Sequence, residues 1–518
     1  MRTRPRALLV PPLLFAALAL CAAGTRPATG QPPKAESKPE KKADSKPDAP
    51  KETLSETQHT LRAGDLKLEY KATAGTLVLK DDEGKAKASM FFVAYTRTDG
   101  DAGPRRPITF TFNGGPGSSS VWLHLGAFGP KRVLMKDNGD PLPGPYRLAD
   151  NDATMLDLTD LVFIDPVSTG FSRPAPGQSG KQFHGVQEDV QSVGEFIRLY
   201  TTKFGRWGSP KFLAGESYGT TRAANLANYL QDHDGLNLTG VLLISAVLNF
   251  QTIRFDDGND LTYPLFLPTY TATAWYHKKL APELQADLRK TLDEAQRFAE
   301  GEYNAALMKG NKLSAAELAS VRAKLARYTG LSEDFVGRNN LRVEIFRFAK
   351  ELLRDQHRTV GRYDSRLVGL DTEPASDRPE YDPSYAAVQG TFTAAMNGYL
   401  RAGLKYDRDN PYEILTGKVQ PWDFGTAKNR YLNVSRPLKQ ALTKNRSLRV
   451  FVANGYYDLA TPYFATEYTF NHLGLEPALA DHVTMAYYDA GHMMYIDRAC
   501  HRKLKKDVAA FYAKALGK

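Results

Sequence analysis

Apolar and polar residues alternate through "LKLEYKATAGTLVLKD" at 66–81 and "KASMFFVAYTRT" at 87–98. That two-residue period predicts a meander of antiparallel strands around Gly75 and Gly84, with order beginning near Asp65. The rhythm then changes. "PITFTFNGG" at 107–115, "LVFID" at 161–165, "KFLAG" at 211–215 and "VLLISA" at 241–246 are short β-rich runs. Helical stretches such as "VQEDVQSVGEFIRLYTTKFG" separate the later ones, and strands alternating with helices predict a parallel sheet covered on both faces. From about Phe255 to Arg401 helical spacing dominates, in "APELQADLRKTLDEAQRFAEGEYNAALMKG", "SAAELASVRAKLARYTG" and "LRVEIFRFAKELLRDQ", with Ser314 and Ser332 as N-caps. Strand rhythm returns in "SLRVFVANG" at 447–455 and "HVTMAYYDAG" at 482–491, and a last helix starts at Arg498. A helical insertion therefore divides an α/β sheet.

The N-terminus adds an expectation of export. Arg2, Arg4 and Arg6 precede the apolar run "ALLVPPLLFAALALCAAG", which ends on Ala22, Ala23 and Gly24. This is the layout of a secretory signal peptide, directing the chain to the periplasm or outside the cell. An uncleaved anchor is the competing reading, weakened by the short run and by Pro11 and Pro12. Lipid attachment at Cys21 is a third, opposed by the bulk of Leu20. Residues 25–60 are rich in Lys, Pro, Glu and Ala with no apolar face, so a disordered spacer is expected. The expected division is thus a signal peptide at 1–24, the spacer at 25–60, a catalytic domain at 61–254 and 402–518, and a cap at 255–401.

Charge and cysteine content change the picture little. The net charge of +10 is scattered along 518 residues rather than gathered into a stripe, which speaks against nucleic acid. Membrane contact is expected only if the N-terminal segment is retained. Cys21 and Cys500 are the two cysteines, so cleavage after the leader would leave no internal disulfide.

Candidate chemistry centres on "GESYG" at 215–219. A serine between glycines, preceded by a strand and followed by the helical run "YGTTRAANLANYLQDH", has the form of a nucleophile elbow. Asp458 lies just past one later strand, in "NGYYDLATP", and His492 just past the next, in "GHMMYID". Ser, Asp and His in that order at strand ends can act as nucleophile, orienting acid and base. Singly, Asp458 reads as a turn residue and His492 as a loop histidine; it is their joint placement that points to a triad. His124 and His184 precede the serine, and His277 and His357 lie in the insertion. An oxyanion hole needs the N–H of the residue after the serine, Tyr218, and one from a loop after an earlier strand. "FNGGPGSSS" at 112–120 is such a loop; the alternative, a phosphate cradle, lacks its Gly-Lys-Ser/Thr signature.

Together "NGGPGSSS", "GESYG", "NGYYDLATP" and "GHMMYID", with "DPVSTGFS" at 165–172, resemble the serine carboxypeptidases, peptidase family S10 of the α/β hydrolases. The chain looks like a bacterial-type member, since it lacks the disulfides of eukaryotic ones. The resemblance implies an α/β-hydrolase fold whose helical insertion is the family's cap. It also implies cofactor-free removal of C-terminal residues from peptides or proteins through an acyl-enzyme. Ser217, Asp458 and His492 would be catalytic, and Gly115 and Tyr218 would form the oxyanion hole. Asn113, Gly114 and Glu216 would hold the substrate carboxylate, and Met493 would line the pocket for the last side chain. No metal is implied.

One departure bears on mechanism. The family's second Glu, which shares a proton with the residue matching Glu216, falls on Ala127. Without that like-charge neighbour the Glu216 pKa is expected near its ordinary value unless burial raises it. KM for free-terminus substrates should then climb through the weakly acidic range unless a cation, with Lys131 and Arg132 first in view, completes the clamp. The missing Glu also keeps open an esterase or acyltransferase on the same scaffold. A catalytically dead binding domain is the reading from another class, opposed by the complete triad. Because the cap contains no triad candidate, it is expected to govern specificity more than chemistry.

Overall fold

The β-rich runs form one sheet. In this computed structural model residues 50–100 and 102–518 are described; the expected leader, Cys21 and residues 25–49 of the expected spacer lie outside them. The main strands are β1 (Leu54–Ala63), β2 (Leu66–Lys80), β3 (Ala86–Arg97), β4 (Ile108–Phe112), β5 (Asp160–Ile164), β6 (Lys211–Ser217), β7 (Gly240–Ala246), β8 (Arg449–Gly455) and β9 (Val483–Tyr488). Their spatial order is β1-β2-β3-β5-β4-β6-β7-β8-β9, with the two-residue strand Arg173–Pro174 added beside β3. β1, β2, β3 and β5 pair antiparallel, and from β5 through β9 every pairing is parallel. This is the expected α/β-hydrolase sheet.

Alternation along the strands builds two cores. On β6, Phe212 and Ala214 face one of them, together with Phe511 and Tyr512 of α6 (Arg498–Ala515). Leu213 faces the other, with Phe196 of α1 (Val186–Lys203) and Leu226 of α2 (Tyr218–His233). A third core belongs to the insertion. Residues of α3 (Thr262–Tyr276) and α4 (Ala315–Thr329) pack there with Tyr456, Tyr457, Leu459 and Tyr463 from the segment after β8. Local signals explain the helix ends. Ser314 and Glu317 form a reciprocal capping box at the start of α4, and Gly330 ends it at φ +68°.

Three sequence expectations need correction. The spacer does not reach residue 60, nor does the catalytic domain start at 61. Leu54–Ala63 is an edge strand paired with β2 along ten residues. Its outward side chains, Glu56, Gln58, Thr60 and Arg62, are those a solvent-facing edge requires, so its composition resembles a spacer. Gly75 marks no turn. It lies inside β2 opposite Leu54, where a Cβ would come within 2.2 Å of Thr53 O. The turn is at Gly84, φ +81°. The insertion is also not purely helical: Arg358–Val360 and Val368–Leu370 make a two-stranded hairpin. It is followed by α5 (Pro383–Gly398), and helical turns continue to Gly403.

Candidate active site

Ser217 ends β6 and caps α2 at φ +58°, ψ −129°, a region that favours glycine. The turn is imposed by close packing of backbone. A Cβ on Gly215 would lie 2.2 Å from Gly219 O, and one on Gly114 would lie 2.4 Å from Tyr218 N. Glycine at these positions lets the 113–117 loop lie against the elbow. Arg222 on α2 locks the two together. Its Nη1 donates to Asn113 O at 2.7 Å and its Nε to buried Asp189 at 2.7 Å. Arg222 and Asp189 went unnoticed in the sequence, where neither stands in a motif.

The ends of β8 and β9 carry the partners. Asp458 is fully buried. Its Oδ1 accepts from Ala460 N at 2.8 Å and Thr461 N at 3.0 Å, and its Oδ2 from Thr461 Oγ1 at 2.7 Å. His492 Nδ1 donates to the same Oδ2 at 2.7 Å. This fixes the ring with Nε2 as the free base position. Burial lowers the His492 pKa, as does the charge of Arg362, but the charge and hydrogen bond of Asp458, helped by Glu216, outweigh them, so the net shift is upward. Ser217 and His492 line one cavity. No hydrogen bond joins them in this structure.

Of the four expected substrate contacts, Gly114, Glu216 and Met493 line this cavity beside Ser217. Asn113 does not. It is buried, its Nδ2 donates to Glu216 Oε1 at 3.0 Å, and its Oδ1 accepts from Leu123 N at 3.1 Å. Asn113 therefore orients Glu216. Gly115 and Tyr218 line an adjoining cavity that also includes Ser217. Tyr218 opens α2, where the first N–H groups have no acceptor within the helix.

Glu216 meets the exception attached to the expectation of an ordinary pKa, since burial raises it. It is fully enclosed, and burial raises it to about 7 despite the opposing effects of His492, Tyr495 and Asn113. Tyr495, a residue of the "GHMMYID" motif to which no role was given, donates its hydroxyl to Glu216 Oε2 at 2.5 Å. Ala127, where the second Glu was missed, is buried in the turn Leu123–Phe128. The suspected cations lie elsewhere. Lys131 pairs with Asp150, and Arg132 approaches Asp152 at 4.0 Å in a separate small cavity. Arg362 and Tyr363 of the insertion line the Ser217 cavity instead.

The insertion does more than border the site. Residues 361–367, the loop of its hairpin, press against the histidine loop. His492 N donates to Tyr363 O at 2.6 Å, and Gly491 N to Asp364 Oδ2 at 3.1 Å. Arg366 ties Asp364 at 2.7 Å to Asp497 at 3.1 Å, the residue capping α6. From the sheet side, Ser245 Oγ donates to His492 O at 2.7 Å. Three of the other histidines are engaged elsewhere: His124 with Tyr95, His184 with Ser168, His277 with Ser365 O.

A family profile described as serine carboxypeptidase, Peptidase S10, matches residues 65–499. Among curated proteins, serine-type carboxypeptidase F of Aspergillus niger is 29% identical over 167 residues, 31% of this chain and 28% of that protein. Pheromone-processing carboxypeptidase KEX1 of Saccharomyces cerevisiae is 31% identical over 161 residues, 30% of this chain and 21% of that protein. The matched segments thus span less than a third of either relative's length. Among solved structures, a prohormone-processing carboxypeptidase from Saccharomyces cerevisiae aligns with TM-score 0.52 at 16% identity, over 88% of this chain and 91% of that one. At that identity the likeness shows the shared fold alone.

Proposed function

The chain belongs to the serine carboxypeptidase family, Peptidase S10, and on that premise we propose that it removes the C-terminal residue of peptides by acyl transfer to water. Ser217 Oγ attacks the last peptide carbonyl while His492 Nε2 takes its proton, and Asp458 stabilises the resulting imidazolium. The oxyanion is received by the N–H groups of Gly115 and Tyr218. His492 then protonates the departing amine, and the acyl group on Ser217 is released by water through the same steps. Protonated Glu216, oriented by Asn113, donates to the substrate's terminal carboxylate beside Gly114, and Met493 borders the departing side chain.

The observation that carries this reading is Glu216. A carboxyl held near pKa 7 by burial, in the cavity of the nucleophile, stays protonated in mild acid and can donate to a carboxylate. An esterase or acyltransferase is the second reading, favoured by Ala127 in place of the second carboxyl. The test is hydrolysis of N-blocked dipeptides with free and amidated termini. A carboxypeptidase prefers the free terminus and releases one amino acid; equal rates, or cleavage of esters alone, would favour the second reading. The apolar run after Arg6 supports export to the periplasm or beyond, and the buried unpaired Cys500 suits a bacterial-type member. Among the described residues no helix is long and apolar enough to cross a membrane.

A further inference from the structure

Arg362 stands where two cavities meet. It lines the one that holds Gly114, Glu216, His492 and Met493, and also the adjoining one on the other side of Ser217 and Gly115. Its backbone is pinned at both ends: its N–H donates to Asp382 at 3.0 Å, and its carbonyl accepts from Leu459 N at 3.1 Å, next to Asp458. Its guanidinium lies 5.3 Å from the Tyr363 ring, which in turn lies 5.1 Å from the His492 ring.

Among the described residues no carboxylate comes within ion-pair distance of this guanidinium. The acidic groups that share its cavities are committed or distant. Glu216 is held by Asn113 and Tyr495, Glu344 pairs with Arg378 at 3.2 Å, and Asp256 is exposed. A half-buried arginine with no carboxylate partner, lining a candidate reaction site, is suited to a planar anion, which it can grip through two parallel N–H donors.

We propose that Arg362 binds a carboxylate of the peptide substrate, supplying a cation at the junction of the two cavities. The inference rests on the peptidase reading above. Two sources share the chemistry: the α-carboxylate of the departing residue, on the Glu216 side, and an acidic side chain on the acyl side. Arg362 is a specificity-determining residue in either case. Its other conceivable task, positioning His492 through Tyr363, would act on every substrate alike.

The test compares Arg362→Gln and Arg362→Lys on four substrates. These are a blocked dipeptide with a free terminus, its amide, the same dipeptide with Glu in the penultimate place, and a depsipeptide, whose scissile bond is an ester and whose terminus is free. For Arg362→Gln the selectivity for free-terminus over amide substrate should fall about 10- to 100-fold, mostly through KM, as loss of a charge-assisted contact implies. Arg362→Lys should recover part of it. If the loss appears only with penultimate Glu, the side chain is the source. Equal losses on all substrates, with slower fluorophosphonate labelling of Ser217, would assign Arg362 to His492 and overturn the proposal. So would no change on any. The depsipeptide separates the two layers of inference. If wild-type enzyme cleaves it but hydrolyses the peptide bond of none of the dipeptides, the peptidase reading fails, while dependence on Arg362 still reports a carboxylate site.

Discussion

His492 is gripped from two sides by regions of very different character. On the sheet side, Asp458 and Ser245 hold it from the ends of β8 and β7. On the cap side a hairpin loop, residues 361–367, holds it through a main-chain carbonyl and through Asp364 beneath Gly491. The sheet side uses side chains, Asp458 from a recognisable motif and Ser245 from a strand end. The cap side uses one main-chain carbonyl, which any sequence of suitable shape could supply, and the Asp364 carboxylate, which stands in no motif. A region with no candidate for the chemistry can therefore be part of what makes the chemistry run. The expectation that the cap governs specificity more than chemistry has to be weighed against this contact with the histidine loop.

The sharpest way to isolate the sheet's share is Ser217→Ala, which keeps the Cβ and the elbow. We expect kcat/KM to fall by about 10⁴- to 10⁶-fold with an unchanged melting temperature. Activity near that of the wild type would remove Ser217 as nucleophile. The cap's share is probed by Gly491→Ala. The new Cβ would meet Tyr363 O at 2.3 Å and Asp364 Cα at 2.5 Å, both on backbone. The histidine loop must shift, and a displacement approaching 1 Å predicts about a 100-fold loss in kcat on simple esters as well as peptides. A change confined to KM would restore the view that the cap acts on substrate choice only.

Protonation sharpens the comparison further, because Glu216 is on the sheet and Arg362 on the cap. The His492 pKa is raised, and the base form is needed, so kcat should rise with pH through a midpoint above the ordinary histidine value. Glu216 titrates at about 7, and its ionised form repels a substrate carboxylate. KM for free-terminus substrates should therefore rise about tenfold per pH unit above neutrality, and not through the weakly acidic range expected from the sequence. Amide substrates should show the kcat limb alone, and a KM flat to pH 8 would show that Arg362 outweighs Glu216. The smallest expected effect is that of Tyr495→Phe. Its hydroxyl lowers the Glu216 pKa, so its removal should move the KM limb to higher pH while leaving kcat near wild type.

The sheet and the elbow were legible because their signals are local. Alternation in "KFLAG", the glycines beside Ser217, and an acid and a histidine just past two later strands all lie within a few residues of what they specify. The burial of Glu216 was not legible, since it depends on Tyr495, Asn113 and the turn around Ala127, which meet only in the folded chain. Arg362 shows the same limit. Among the many arginines of the insertion nothing marks it, and its position follows from Asp382 and Leu459 pinning its backbone. β1 was missed for the opposite reason: its pairing is regular, but its outward face is as polar as a linker.

The sheet's connectivity also has a consequence for the order of events at the ribosome. β7, whose seven residues are all buried in the finished protein, lies beside β8 in parallel register, Gly240 opposite Arg449. About 200 residues, mostly the insertion, must be translated between them. At roughly 5–20 residues per second β7 waits about 10–40 s as a bare apolar edge. Such an edge pairs readily with other chains. The chain is thus most vulnerable to aggregation while half of it has emerged, whether from the ribosome or, on the export reading, across the membrane, and a chaperone that shields strand edges on that side during the interval should raise its yield more than one acting on the completed chain.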